Sequence, residues 1–438
     1  MKTTVEEISP VKKKILVEID SKDVDKKIDS AFQKYGKSAK IKGFRPGKVP
    51  MKVLERYYGD QVMYEVTNSI IQETLPKAMQ ETETWPLNMP TLENDAQLIK
   101  GQDFKYTAVM EVKPEFELKD YTGVEVEKEK CVINDDDIDN QIQAILRSQG
   151  NLVAVTDDRG IEKDDYAIIN YQGFEGGEAV TGMKAENYSL SIGTGNFYPG
   201  FDDGLLGVKK GDKKDITIDF KEDYVNPKLA GKSIKFKVEV TDIKVMELPE
   251  LNDAFVKGLG VEFETVDELK IKIKEDLTLR EEKRIETELR NSILEKISDS
   301  VVFELPESLI ENEINASIEN MRQNFLRSGM TFEKLGLDLE KMKSELQPTA
   351  EKNVKGALIL GEIAKLNKID VDEKELAQSF EDMAKDAGHP AETIRKYYEA
   401  NDLVESFRES LIKEKTLKYL VENASVTEIE PDKKSEKE

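Results

Sequence analysis

Apolar residues change their spacing from one stretch of this chain to the next, and each change marks a different kind of element. Between Lys13 and Asp20, Ile15, Val17 and Ile19 alternate with other residues, the period of a strand with one buried face. Behind Ser21, a residue suited to a helix N-cap, Val24, Ile28, Ala31, Phe32 and Tyr35 recur at helical spacing. Pro50 opens a second helical stretch through Val53, Leu54, Tyr57 and Tyr58, and a third runs from about Asp60 to Gln80. Alternation returns from Phe104 to Val112, which predicts a strand paired with the first.

Residues 113–149 read as a linker, with a short extended piece at Val124 and Val126. The acidic run Asp135–Asp139 there suits the start of a helix carrying Ile138, Ile142, Ile145 and Leu146. It lacks the glycine turn and closing bidentate Glu of a calcium loop. From about residue 150 to 246 glycine becomes frequent, and Tyr166–Tyr171, Ile216–Phe220 and Ile234–Ile243 read as antiparallel strands. From 247 to 428 the pattern is helical. Thr265-x-x-Glu268 forms a capping box before a helix to Ser300, about 50 Å long at ~1.5 Å per residue. Pro306 fits the first turn of the next helix, and further helices are expected near 350–367, 372–386, 391–399 and 402–422. The tail, charged from Glu428 on and set off as 429–438, is expected to be disordered.

The resulting fold class is multidomain α+β. It comprises a mixed N-terminal domain (1–112), the linker, an antiparallel β domain (150–246) and a long all-α C-terminal domain (247–428). Composition narrows the function. A chain of 438 residues is too long for one core, and its net charge of −24 disfavours general binding to nucleic acid. Cys131 is the sole cysteine and His389 the sole histidine, which excludes an internal disulfide, a zinc site and a histidine-based triad. No metal or cofactor is expected, and no Gly-x-x-x-x-Gly-Lys-Ser/Thr loop for ATP is present. There is no signal-peptide core at the start and no apolar run near the ~20 residues that span a bilayer, so the expected setting is a reducing cytoplasm without membrane contact.

One segment runs against the acidity. Gly43-Phe44-Arg45-Pro46-Gly47-Lys48 is a basic turn, flanked by Lys34, Lys37, Lys40, Lys42, Lys52 and Arg56 with Glu55 the one acid from Ala31 to Arg56. An isolated basic loop is ordinarily just a solvated surface. Here the two glycines and Pro46 fix a turn that presents Arg and Lys beside Phe44, which suits a phosphate-rich or acidic partner.

Within the β region, Tyr188-Ser189-Leu190-Ser191-Ile192-Gly193 followed by Gly195-Asn196-Phe197-Tyr198-Pro199-Gly200-Phe201-Asp202-Asp203-Gly204-Leu205 resembles an FKBP-type peptidyl-prolyl isomerase. Asn170-Tyr171-Gln172-Gly173 and Leu229-Ala230-Gly231-Lys232 fall where that family's flanking strands lie. The resemblance implies an apolar pocket lined by Tyr171, Tyr188, Phe197, Tyr198, Phe201, Tyr224 and Phe236, with a backbone N–H of the Phe197–Tyr198 segment orienting the substrate carbonyl. Val180 and Thr181 stand where the family usually places an aromatic residue and an acid, and Tyr198 replaces an aliphatic one, so the rate is left open.

The whole layout, basic loop, isomerase-like domain and helical end, resembles the trigger factor family of ribosome-associated bacterial chaperones. That resemblance implies ribosomal protein and RNA at the tunnel exit as the partner of Gly43–Lys48, and two helical arms in the C-terminal domain. It also implies ATP-independent holding of unfolded nascent polypeptides. Met321, Phe325, Met330, Phe332, Leu335, Leu337 and Met342 are candidate client contacts, since flexible Met suits promiscuous surfaces; any of them could equally pack the helical body. Self-association into a homodimer off the ribosome stays open. The competing reading is a free-standing prolyl isomerase whose other domains recruit substrate without any ribosome docking.

Overall fold

The computed structural model describes residues 1–431 apart from 43, 45–47, 94–97, 196, 223, 225–228, 261–262, 329–330 and 333–337, and apart from the side chains of Ser38, Thr181 and Asp386. The chain divides into two compact units, Met1–Lys128 with Glu286–Ile429, and Glu129–Ile285 with the residues after Ile429.

In the first unit β1 (Lys2–Ser9), β2 (Lys12–Ile19), β3 (Thr91–Leu92) and β4 (Phe104–Glu111) form an antiparallel sheet ordered β1-β2-β4-β3. Its register sets Ile15 opposite Ala108, Val17 opposite Tyr106 and Ile19 opposite Phe104, so the alternating residues of both strands enter one core. Helices α1 (Ser21–Ser38) and α2 (Met51–Glu81) close that core with Val24, Ile28, Phe32, Val62, Val66 and Ile70.

Three expectations shift here. Asp20, not Ser21, is the α1 N-cap and accepts from the Lys22 N–H at 2.9 Å. The two helical stretches after Pro50 are one helix of 31 residues, unbroken at Gly59-Asp60. Leu54 before that point and Val62, Val66 and Ile70 after it are buried in the same core. Burial at ~1.5–3 kcal/mol per side chain outweighs the ~1 kcal/mol that a mid-helix glycine costs. Strand β1 has no counterpart in the sequence reading, because on the sheet edge most of its residues are exposed and no apolar face is written into it.

Residues 113–149 carry two elements, β5 (Glu125–Glu129) and α3 (Asp135–Ser148). The acidic run starts α3 as expected, with Asn134 and Asp137 forming a reciprocal capping box.

The β region of the second unit is a five-stranded sheet of β6 (Asn151–Ala154), β7 (Tyr166–Glu175), β8 (Glu178–Ser191), β9 (Lys213–Asp219) and β10 (Ser233–Glu247). Strand β10 pairs with β6, β7 and β9, and β7 pairs with β8 across a Gly176-Gly177 turn. Both glycines have positive φ, +57° and +97°, as a tight hairpin turn requires. The short helix α4 (Phe201–Leu205) seats Phe201 and Leu205 in the same core as Ile169, Ile234, Phe236 and Val240. Beside it in sequence, α5 (Asp253–Gly258) and the start of α6 (Val266–Ser300) supply Val256, Leu269 and Ile273, which pack with Ile138, Ile142 and Leu146 of α3. The Thr265–Glu268 box is formed: Glu268 N–H donates to Thr265 Oγ1 at 3.3 Å, and Thr265 N–H to Glu268 Oε2 at 3.2 Å.

Within the first unit, the remainder of α6 packs with α8 (Leu339–Asn367) and α11 (Val404–Glu422) through Leu289, Ile293, Ile359, Ile363 and Leu420. Val126 of β5 joins this core, and β5 pairs with β11 (Ser425–Ile429). The sequence expected a loose tail from Glu428, yet Glu428 and Ile429 lie in β11; residues 432–438 lie outside the described chain. Helix α7 (Glu307–Arg327) packs on α8, while α9 (Glu373–Ala387), α10 (Ala391–Ala400) and α11 surround a second core around Phe380. Helix α8 starts at Leu339 rather than near residue 350 and runs through Pro348, with Asp338 accepting from the Glu340 N–H at 3.0 Å. The sheet domain meets α7 directly: Ser308 N–H donates to Glu111 Oε2 at 2.9 Å, and Lys12 pairs with Glu307 at 2.8 Å.

Candidate functional site

The β region gathers most of the aromatic residues singled out from sequence into one cage. Gly200 takes φ +72°, the left-handed region that glycine enters without strain, and there the chain turns into α4. Phe201, the next residue, is fully buried. Its ring lies edge-on to Phe197 at 4.8 Å, to Phe236 at 5.4 Å and to Tyr171 at 6.3 Å between centroids. Tyr171 meets Phe197 at 5.3 Å and Tyr188 at 5.8 Å, also edge-on, and Tyr198 stacks on Phe236 at 5.0 Å. Such arrangements set a positive ring edge against a negative face and fix ring positions beyond what area alone would do. Gly173, opposite Phe236 in the ladder, leaves the necessary room: a Cβ there would sit 3.2 Å from the Phe236 ring and 3.0 Å from Met183 Cβ.

Burial grades from base to mouth. Phe201 and Phe236 are fully buried, Tyr171, Phe197 and Tyr198 are half-buried, and Tyr188 is 39% exposed. Tyr224 departs from the expected lining. Its ring packs on Phe220 at 4.7 Å, and Phe220 meets Tyr198 at 5.7 Å, so Tyr224 reaches the cage one ring removed. Phe220 is missing from the sequence-derived set. Its only signal was its place in the alternating run Ile216-x-Ile218-x-Phe220, which marks core rather than pocket. Val180 packs half-buried against the same core.

The cage presents an aromatic wall whose polar atoms are phenol hydroxyls. Burial first, then the neighbouring Tyr188, pushes the Tyr171 phenol above its ordinary value. Burial, then Tyr171, Tyr224 and Tyr188, does the same to Tyr198. Both phenols therefore stay neutral near pH 7. Among the described residues neither the Phe197 nor the Tyr198 N–H has a hydrogen-bond acceptor.

A brace holds the strands beside the cage. Arg159 donates to both oxygens of the buried Asp165, at 2.5 and 2.9 Å, and the Glu162 N–H donates to it at 2.8 Å. The Asp165 C=O accepts from the Ile192 N–H at 2.9 Å, tying the start of β7 to the end of β8. Burial works against the Asp165 charge, but the bonds from Arg159 and Glu162 together with the Arg159 charge outweigh it and hold the pKa below the ordinary 3.8.

The basic loop sits between α1 and α2. Ala39 and Ile41 at its start are buried in the sheet core, and the Phe44 N–H donates to the Ile41 C=O at 3.1 Å. Past this anchor Phe44 is 41% exposed and Lys42 and Lys48 are exposed. Lys34, Lys37, Lys40, Lys52 and Arg56 are exposed as well, and among the described residues none of these cations has an acid within ion-pair distance. Gly43, Arg45, Pro46 and Gly47 lie outside the described residues.

Of the candidate client contacts, Met321 and Phe325 on α7, Phe332, and Met342 on α8 are half-buried. Phe325 and Phe332 meet edge-on at 5.8 Å. Leu326 and Leu339, which the sequence reading passed over, are largely exposed beside them in sequence. Met330, Leu335 and Leu337 lie outside the described residues. Among the described residues no group of His, Cys, Asp and Glu could hold a metal ion, and no helix is long and apolar enough to cross a membrane.

Comparison with known proteins places these features. Residues 1–145 match the family model described as bacterial trigger factor protein, 157–241 match FKBP-type peptidyl-prolyl cis-trans isomerase, and 265–422 match the bacterial trigger factor C-terminus. The trigger factor of Geotalea uraniireducens (strain Rf4) is 37% identical over 431 residues, covering 98% of this chain and 99% of that protein. The trigger factor of Caldicellulosiruptor bescii is 36% identical over 417 residues, covering 94% of both. A solved structure of the trigger factor chaperone, concerned with promiscuous substrate recognition in folding and assembly, shares the fold at a TM-score of 0.50. It is 22% identical, and the match covers 96% of this chain and 99% of that one. With both of the family's own models matched and curated relatives covered nearly end to end, this chain belongs to the trigger factor family, ribosome-associated chaperones with an FKBP-type isomerase domain.

Proposed function

We propose that this chain docks through its basic loop beside the ribosomal tunnel exit, holds unfolded segments on its helical region, and accelerates cis/trans exchange at X–Pro bonds in the aromatic cage. The observation that carries the isomerase part is the graded cage itself. Rotation about X–Pro faces ~18–20 kcal/mol from amide resonance. The twisted amide has lost that resonance and much of its charge separation. A dry aromatic wall therefore stabilises it relative to the planar form, and neither a nucleophile nor a metal is needed. The Tyr198 N–H is the donor that orients the substrate carbonyl. Tyr171, Phe197, Phe201 and Phe236 form the floor and walls, Tyr188 the rim, and Tyr224 supports the wall through Phe220.

Docking rests on exposed lysines that have no acid within ion-pair distance among the described residues, on a loop whose start is anchored in a core. Arg45 and Lys48 contact ribosomal RNA or acidic ribosomal protein, and Phe44 adds an apolar anchor. The acidity of the rest of the chain confines contact with RNA to this place. A cytoplasmic setting follows from the ribosomal partner. Client holding rests on the half-buried Met and Phe side chains of α7 and α8, which stand outside the buried cores among the described residues.

The deciding experiment is co-sedimentation with ribosomes at two ionic strengths. The wild-type chain is expected to pellet at low salt and to be released near 1 M, where the screening length is ~3 Å. The triple variant F44A/R45A/K48A is expected to stay in the supernatant while accelerating proline-peptide exchange like the wild type. A variant that pellets normally overturns the docking assignment and returns the free-standing isomerase as the better reading.

A further inference from the structure

The geometry points to Asp202 as a positioning residue for the isomerase reaction, acting on the loop that carries the substrate-orienting donor rather than on substrate. Asp202 follows Phe201 in α4 and is itself nine-tenths buried. One oxygen, Oδ2, accepts from the Gly193 N–H at 3.0 Å and from the Gly195 N–H at 3.3 Å. The other, Oδ1, is buried without a hydrogen-bond partner among the described residues. A buried carboxylate oxygen left unpartnered is costly, and a side chain held under that penalty calls for a compensating role.

The role follows from what the carboxylate holds. Gly193 and Gly195 take φ values of +90° and +65°, conformations that no strand or helix ladder supports. The chain leaves β8 through these residues and reaches Phe197 and Tyr198, which supply a cage wall and the Tyr198 N–H. Asp202 lies on the far side of the same loop, directly after the ring that forms the cage base. Its carboxylate ties the loop's first turn to α4, so the wall and the donor keep a fixed distance from Phe201. Misplacing a substrate-orienting group by an ångström can cost as much as ~100-fold in rate. Because both loop N–H groups share a single oxygen, an asparagine carbonyl can replace that oxygen without change of shape. The carboxylate is thus required as an acceptor in the right place, and its charge is dispensable.

This inference rests on the isomerase reading, and the test separates the two. On the full chain, Asp202→Leu and Asp202→Asn are compared with wild type in a proline-peptide exchange assay, alongside melting of the isomerase domain. Asp202→Leu is expected to lower kcat/KM by roughly tenfold or more while the domain stays folded at the assay temperature, and Asp202→Asn to recover to within roughly threefold of wild type. A role in stability alone would instead scale activity with the folded fraction and leave KM unchanged. Amide hydrogen exchange on the wild-type chain supplies an arm independent of any variant's folding. The Gly193 and Gly195 amides are expected to exchange about tenfold more slowly than Thr194 between them. A wild-type chain with no isomerase activity sinks the isomerase reading. An active wild type with unprotected Gly193 and Gly195 amides, a fully active Asp202→Leu, or an Asp202→Asn as impaired as Asp202→Leu overturns the role given to Asp202.

Discussion

The aromatic cage and the basic loop use opposite physics. In the proposed isomerase reaction the cage acts by keeping water out: Phe201 and Phe236 are fully buried and each ring is fixed by several others. In the proposed docking, the described cations Lys42 and Lys48 are exposed with no acid within ion-pair distance among the described residues, where a polyanion can reach them. Among the described residues the base of the loop is buried, through Ala39 and Ile41. A dry site must be overdetermined by packing, so damage to it is felt in stability and activity together. An electrostatic site needs only a fixed foothold, so its side chains can be changed at little cost to the fold.

The largest effect expected from that contrast is at the cage base. Phe201→Ala removes a fully buried ring and should destabilise the isomerase domain by about 3–5 kcal/mol, with exchange activity lost. Thermal melting and a proline-peptide assay measure both, and ribosome pelleting should persist. A well-folded, active F201A would break the comparison, because the ring would then be neither core nor floor.

The brace comes next. Asp165 has a folded pKa below its ordinary 3.8, so its contribution is present above that value and is lost as pH falls through the folded pKa. Asp165→Asn should cost about 1–3 kcal/mol at pH 7, since it weakens a charge-assisted bond to a partly exposed Arg159. The difference in melting between wild type and D165N should begin to shrink as pH falls below 3.8; parallel curves would remove Asp165 from the account. The smallest effect belongs to the loop. Lys48→Glu should weaken ribosome binding by about 1 kcal/mol at low salt, roughly fivefold, and leave melting unchanged. A shift in melting with binding intact would invert the assignment of rigid and electrostatic sites.

Much of this is legible in the sequence, for reasons that differ by element. Ile15-x-Val17-x-Ile19 and Phe104-x-Tyr106-x-Ala108 announced their strands, because one buried face imposes a period of two. The Thr265–Glu268 box announced α6, because a helix start leaves N–H groups that few side chains can satisfy. What escaped was set at long range. Strand β1 carries no apolar face, and only its pairing with β2 makes it a strand. Gly59-Asp60 looked like a break, and only a core shared by Leu54 and Val62 keeps α2 continuous. Phe220 and Asp202 took their places through contacts with residues from other parts of the chain.

The sequence by itself determined most of the kinds of elements and the location of positive charge, since periodicity, composition and turn chemistry are local properties, while the aromatic set of the cage came from the resemblance to the FKBP-type family and lacked Phe220. Only the tertiary structure decided that Tyr224 stands one ring back and that Asp202 holds the loop behind Phe197. It also decided that the stretch 113–149 is divided between β5, paired with β11, and α3, packed on α5 and α6. The physical reason is common to all three. Ring stacking, ladder pairing and a buried carboxylate's choice of donors depend on distances across the fold, which no local pattern encodes.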